Sequence, residues 1–119
     1  MKYLLVVMAI LLAGCASQPA PMTSIESDWS DYGQQRAEQG YLKQSESRLA
    51  KLDTQGYLTP ELYSAYQDGY EAGREVYCEQ SAYMLGVMGK PYLGICDKLN
   101  PFFQQDYVSG KTSTAGSMF

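Results

Sequence analysis

Three cysteines and no histidine set the chemistry open to this chain of 119 residues. Cys15 closes the tetrapeptide Leu12-Ala13-Gly14-Cys15, behind an apolar run from Tyr3 to Ala13 that has one charge, Lys2, ahead of it. Such a run is too short to cross a hydrocarbon core, which takes roughly 20 apolar residues, but it fits the apolar region of an export signal. The small residues before the cysteine admit a peptidase. The thiol can then be thioetherified to diacylglycerol, with cleavage after Gly14 and acylation of the freed amine. Residues 1–14 are therefore read as a lipoprotein signal peptide and Cys15 as the lipidation site, the alternative being an ordinary secretory signal that contains a cysteine. Several acyl chains on one residue, at about 0.8 kcal/mol per buried methylene, give a stable membrane anchor. Ala16, where an aspartate would favour inner-membrane retention, directs the expectation to the periplasmic face of a bacterial outer membrane.

With Cys15 given to lipid, Cys78 and Cys96 remain as an even pair, which in an oxidising periplasm reads as a disulfide. Closing a loop of that size contributes on the order of 3 kcal/mol in the chain-entropy picture. Zinc is the rival use of two thiols, but with no histidine and no third thiol a site would have to be completed by carboxylates. No metal and no cofactor are expected. Loss of Lys2 with the signal leaves eight basic residues of the nine, against thirteen acidic ones, a net charge of −5. That balance argues against nucleic acid as a partner and against adhesion to anionic head groups by charge. For catalysis, a carboxylate pair or a dyad of Ser81 and Lys90 would have to replace the missing histidine. No spacing selects such a pair, so no catalytic residue is assigned and a hydrolase is the least favoured reading.

The elements that position these residues are helical. Ala16 to Ser24 is small, polar and proline-punctuated and reads as a flexible tether reaching at most about 30 Å. A first helix is expected to open at Ser27 or Asp28, to turn Trp29, Gly33, Ala37 and Gly40 inward, and to end at Gly40. A shorter one runs from about Gln44 to Thr54 with Leu49 and Leu52 inward. The third has the fullest signature: Thr59 as cap, Pro60 at the first helical position, Glu61 in the first turn and continuation to Cys78. At 100° per residue, Tyr63, Tyr66, Tyr70, Gly73 and Tyr77 fall within about 80° of one another, opposite an acidic arc of Glu61, Asp68, Glu71, Glu75 and Glu79. A helical turn from about Ser81 to Val87 follows, then a Gly-Lys-Pro loop back to Cys96. A last helix is expected to begin with Asn100 as cap and Pro101 at its first position and to stop near Gly110, leaving 111–119 as a frayed tail. No hairpin dipeptide separates alternating apolar runs, so strands are not expected. The fold class is all-α: a small domain over residues 27–110, of four to five short helices closed by one disulfide, behind a lipidated tether over residues 15–26.

Ten tyrosines remain once Tyr3 is removed with the signal. Their stripe reads first as a core face whose hydroxyls reach the edge. The functional alternative is an aromatic partner surface of Trp29, Tyr63, Tyr66, Tyr70, Tyr77 and Tyr83, which would dock an envelope protein or stack on glycan rings of peptidoglycan or lipopolysaccharide. An aromatic residue also recurs one turn before a glycine, at Trp29 and Gly33, Tyr66 and Gly69, and Tyr107 and Gly110, without a fixed period.

Asp28-Trp29-x3-Gly33-x3-Ala37-x2-Gly40, then Tyr66-x2-Gly69-Tyr70-x2-Gly73-x4-Cys78, Tyr83-x2-Gly86-x2-Gly89-Lys90 and Cys96, together resemble the YfiL-like bacterial lipoproteins, a family of unknown function. The resemblance covers roughly Asp28 to Cys96. It implies a small lipid-anchored envelope protein with Cys78 and Cys96 paired, and it carries over no catalytic or ligand-binding residue. The expected function is thus a non-enzymatic outer-membrane lipoprotein that binds or braces an envelope partner, with the glycan module as the alternative. No sequence feature specifies an oligomeric state.

Overall fold

Local capping sets most of the helix starts, as the computed structural model shows over the residues it describes, 19–117, with side chains described as far as residue 113. The signal segment 1–14, Cys15 and the first residues of the tether lie outside the described residues. Five helices follow in order: α1 (Glu26–Glu38), α2 (Glu46–Leu52), α3 (Pro60–Cys78), α4 (Ala82–Val87) and α5 (Phe103–Ser117). The hydroxyls of Ser45, Thr59 and Ser81 each accept a hydrogen bond from the amide three residues on, at 3.2 Å. Each so satisfies one of the free donors that a helix start leaves. The fold is all-helical, with no strand among the described residues. No helix among them is long and apolar enough to cross a membrane.

Helix α1 starts differently from the expectation. Ile25 occupies the cap position with no side-chain bond, and the helix begins at Glu26, ahead of Ser27 and Asp28. Asp28 is instead engaged by the preceding segment: the Thr23 hydroxyl donates to its carboxylate at 2.7 Å, and the Trp29 indole N–H donates to the Thr23 carbonyl at 2.9 Å. Ala20 is buried in the same cluster as Trp29, Tyr32, Leu49, Leu62 and Tyr66. The stretch read as a free tether is therefore laid onto the domain from Ala20 onward.

Two further expectations are corrected. Leu49 is fully buried but Leu52 is 46% exposed, because the inward position one turn after Leu49 is taken by Asp53. The Asp53 carboxylate accepts the Leu58 amide at 2.6 Å and holds the turn into α3. At the other end, the Asn100 side chain accepts the amide of Phe102 at 3.0 Å in a turn that precedes α5, and the helix itself opens at Phe103 and passes Gly110 to reach Ser117. Gly110 does not stop the helix because it serves as a contact point on it.

That contact belongs to a pattern found twice. In the pairing of α1 with α3, a Cβ on Gly33 would overlap the Tyr66 carbonyl and lie 2.9 Å from the Tyr70 amide nitrogen, while one on Gly69 would overlap the Ser30 carbonyl. In the pairing of α4 with α5, a Cβ on Gly86 would overlap the Tyr107 carbonyl and lie 2.6 Å from the Lys111 amide nitrogen, while one on Gly110 would overlap the Tyr83 carbonyl. Each glycine thus faces the carbonyl three residues before the glycine of the other helix, in both pairs. Gly73 extends the first seam against Gln34 and Ala37. Gly40, at φ +83°, ends α1 with the Tyr77 ring against it.

Helix α3 links the two pairs. Its first half supplies Leu62 and Tyr66 to the core around Trp29, and its end supplies Tyr77 to a second core with Leu85, Ile95, Cys96, Phe103 and Tyr107. Helix propensity favours alanine over glycine by up to about 1 kcal/mol. Gly69→Ala and Gly110→Ala should nevertheless destabilise the protein by about 1–3 kcal/mol, because the added methyl meets backbone that cannot step aside. Denaturant unfolding measures this, with Ala72→Leu on the exposed side of α3 as a control expected to stay within about 0.5 kcal/mol. Neutral or stabilising glycine variants would show that the helices are not in backbone contact.

Candidate functional site

Between α1 and α2 the chain from Gln39 to Ser45 has no regular structure, so its backbone donors and acceptors need partners from elsewhere. Tyrosines supply them. The Gln44 amide donates to the Tyr66 hydroxyl at 3.0 Å, the Tyr63 hydroxyl donates to the Gln44 carbonyl at 3.0 Å, and the Tyr32 hydroxyl donates to the Gln44 side-chain oxygen at 3.0 Å. One turn along α3, the Tyr70 hydroxyl donates to the Tyr41 carbonyl at 2.7 Å. Arg36 completes the enclosure: its Nε donates to the Leu42 carbonyl at 2.7 Å and its guanidinium lies 5.3 Å from the centre of the Tyr41 ring. The rings themselves are neighbours, with Tyr32, Tyr63 and Tyr70 each 5.7–6.3 Å from Tyr66 between centroids. Burial disfavours the phenolate and pushes Tyr63 and Tyr66 above the ordinary tyrosine range. It raises Tyr70 to about 12.

A second array repeats the device at the disulfide. Cys78, the last residue of α3, is bonded to Cys96, with Cα atoms 5.6 Å apart. The Cys96 amide donates to the Tyr92 hydroxyl at 3.0 Å, and that hydroxyl donates in turn to the Asp97 carboxylate at 2.6 Å. The Tyr107 hydroxyl donates to the Lys90 carbonyl at 2.6 Å, tying α5 to the loop that returns to Cys96. Tyr92 lies 4.8 Å from Phe103 and 5.5 Å from Tyr107 between ring centroids. Desolvation, reinforced by the bond to Asp97, raises Tyr92 strongly, and burial raises Tyr77.

These positions revise the aromatic partner surface. Trp29 and Tyr66 are wholly inaccessible, Tyr70 is buried beside Tyr66, and Tyr77 is buried in the second core. All four are core residues, since the glycine seams bring the helices together on the face that carries their rings. Tyr63 is partly buried, with its hydroxyl on Gln44. Tyr83 is 43% exposed, and its hydroxyl donates to Ser113 at 3.0 Å. The large side chains left outside are mostly aliphatic, with Phe102 the most exposed at 66%. Met84, Met88, Leu93, Leu99 and Val108 in the same half of the chain are also exposed.

Among the acids, Glu71 pairs with Arg74 on its own helix and with Lys43 at 3.9 Å. No group of three or more acidic, cysteine or histidine side chains among the described residues is placed to hold a metal ion. An open depression of about 370 Å³ lies where the chain enters the domain, lined by Pro19, Asp28, Asp31, Tyr32 and Gln35. Gln44, Tyr41 and Tyr92 were not singled out from the sequence. Tyr32 had a signal, lying three residues after Trp29 on the same helix, whereas a polar residue in a loop announces nothing until its long-range partners are known.

The family described as protein of unknown function (DUF2799) matches residues 28–112, and the chain belongs to it. The match begins at the Asp28-Trp29 pair, carries through both cysteines and extends over Tyr107 and Gly110 of α5. No curated protein and no solved structure matches the chain.

Tyr66→Phe removes the acceptor of a buried amide and should cost about 1–3 kcal/mol. Hydrogen exchange at the Gln44 amide should accelerate in that variant, while an unchanged exchange rate would mean the hydroxyl is not its partner. Alkaline titration supplies a second measurement. Five tyrosines have raised folded-state values, so above the unfolded value of about 10 the unfolded chain releases protons that the folded one retains. Stability should hold below pH 10 and fall as the pH rises through 10 toward about 12. Tyrosinate absorbance should appear together with loss of helical circular dichroism; ionisation of all tyrosines near pH 10 with the helices intact would contradict the burial argument.

Proposed function

We propose that this DUF2799 protein is an exported, lipid-anchored protein of the bacterial envelope, held at the periplasmic face of the outer membrane, whose helical domain is a non-enzymatic binding or bracing module. The observation that carries the reading is the Cys78–Cys96 disulfide. Structural disulfides form and persist in oxidising compartments, so the chain needs export, and the apolar run before Gly14 has the form of the signal that provides it. The pairing also leaves Cys15 as the odd cysteine, directly behind Leu12-Ala13-Gly14.

Binding is favoured over catalysis by where the reactive and aromatic side chains are used. The tyrosine hydroxyls near the two cores bond to loop backbone, and Trp29 is sealed in the first core. A glycan module would need the rings of Trp29, Tyr66, Tyr70 and Tyr77 as stacking surfaces, and these are interior. Among the mostly aliphatic side chains that remain outside, Phe102, Tyr83, Met84 and Met88 are of the aromatic and methionine types enriched at protein contact surfaces. The reading includes no metal and no cofactor.

Mass spectrometry of the protein taken from bacterial membranes should find an N-terminal acylated Cys15 and no free thiol at Cys78 or Cys96. A photocrosslinker in place of Phe102, activated in intact cells, should return one discrete envelope protein. Recovery of abundant bystanders alone, repeated across growth conditions, counts against the binding role. An unmodified Cys15 counts against the anchor.

A further inference from the structure

We infer that the edge of the domain carrying Met22 and Ile25 rests in the head-group layer of the phospholipid leaflet that holds the anchor, an inference that depends on Cys15 being the lipidated residue. The argument is one of chain length. From Cys15 to Ala20 is five residues, which span at most ~18 Å fully extended. Ala20 is already buried in the core with Trp29 and Tyr32, so the slack ends there rather than at the start of α1. The next turn of chain is fixed as well, by the Trp29 indole on the Thr23 carbonyl and by the Thr23 hydroxyl on Asp28.

On this fixed segment the two large apolar side chains point outward: Met22 is 59% and Ile25 56% exposed. The head-group zone is itself roughly 5–7 Å deep on each side of the hydrocarbon. An anchor within ~18 Å of Ala20 therefore keeps both side chains within reach of that zone, where apolar groups insert and backbone stays hydrated, and their exposure gives the edge a reason to settle there. The same edge carries exposed Glu26 and Asp31, the latter lining the depression beside Pro19. Their charge disfavours anionic lipid, so the surface that fits is a zwitterionic one such as phosphatidylethanolamine.

The test uses the full chain, made in a bacterium that acylates it and reconstituted into phosphatidylethanolamine and phosphatidylcholine vesicles with brominated acyl chains. Because Trp29 is sealed in the core, M22W, I25W and M88W each add one exposed reporter over the wild-type background; Met88 follows α4, in the other helix pair. Quenching by brominated lipid is expected to be several-fold stronger for M22W and I25W than for M88W, and to weaken when phosphatidylglycerol is added. Equal quenching at the three positions, or none at 22 and 25, overturns the inference. Flotation and the mass of Cys15 separate the two claims. Acylated protein that floats but is unquenched at 22 and 25 keeps the anchor and discards this orientation, and protein without acylation discards both.

Discussion

Backbone-to-backbone contact between helices, possible only where the side chain is a hydrogen atom, is the constraint from which this fold follows. Gly33 and Gly69 bring α1 onto α3, and Gly86 and Gly110 bring α4 onto α5. In both pairs each glycine meets the carbonyl one turn before its opposite, so one crossing geometry is used twice although the linkers between the paired helices differ in length. The scattered aromatic-glycine spacing in the sequence has this geometry as its physical content. Trp29, Tyr66 and Tyr107, three or four positions before Gly33, Gly69 and Gly110, stack beside the seams, and the glycines let the other helix come close enough for these rings to be covered.

Close helices leave little interior for loops, and this chain has a great deal of loop. Helices α2 and α4 are only seven and six residues long, and the irregular stretches between elements expose backbone groups that no ladder satisfies. Tyrosine meets both demands. Its ring fills the seam beside a glycine, and its hydroxyl, at the far end of the ring, reaches the backbone of the neighbouring loop: Tyr66 and Tyr63 at Gln44, Tyr70 at Tyr41, Tyr107 at Lys90. Phenylalanine would fill the same space and leave those groups unpaired. Packing thus accounts for most of the tyrosines among the described residues, with Tyr41, Tyr57 and Tyr83 left exposed. The same use removes most of them from the surface, leaving Phe102 as the most exposed large apolar side chain.

What was legible in the sequence was local. The Thr59-Pro60 start of α3, the Ser81 start of α4, the inward face of Trp29, Gly33 and Ala37, and the pairing of Cys78 with Cys96 each depend on residues a turn apart or on parity of thiols. What was not legible depends on distant partners. Leu52 loses its inward place to Asp53 because the turn before α3 needs an acceptor for Leu58. Gly110 reads as a stop by its own preference, yet α4 needs it as a contact surface. Ala20 reads as linker because a small residue between prolines has no period, and it is the bonds of Trp29 and Asp28 to Thr23 that draw that segment onto the domain.

The docking of Ala20 changes what the domain can reach. A free nine-residue tether would let the whole domain swing through a hemisphere of ~30 Å, whereas the shortened one confines its entry edge within ~18 Å of Cys15, the residue proposed to carry the lipid. The second core, with the exposed apolar side chains, is separated from the first along α3, a helix of 19 residues and hence ~28 Å. If Cys15 carries the proposed anchor, so short a connection would do more than localise the protein, since it would favour partners that are membrane-bound or membrane-apposed themselves.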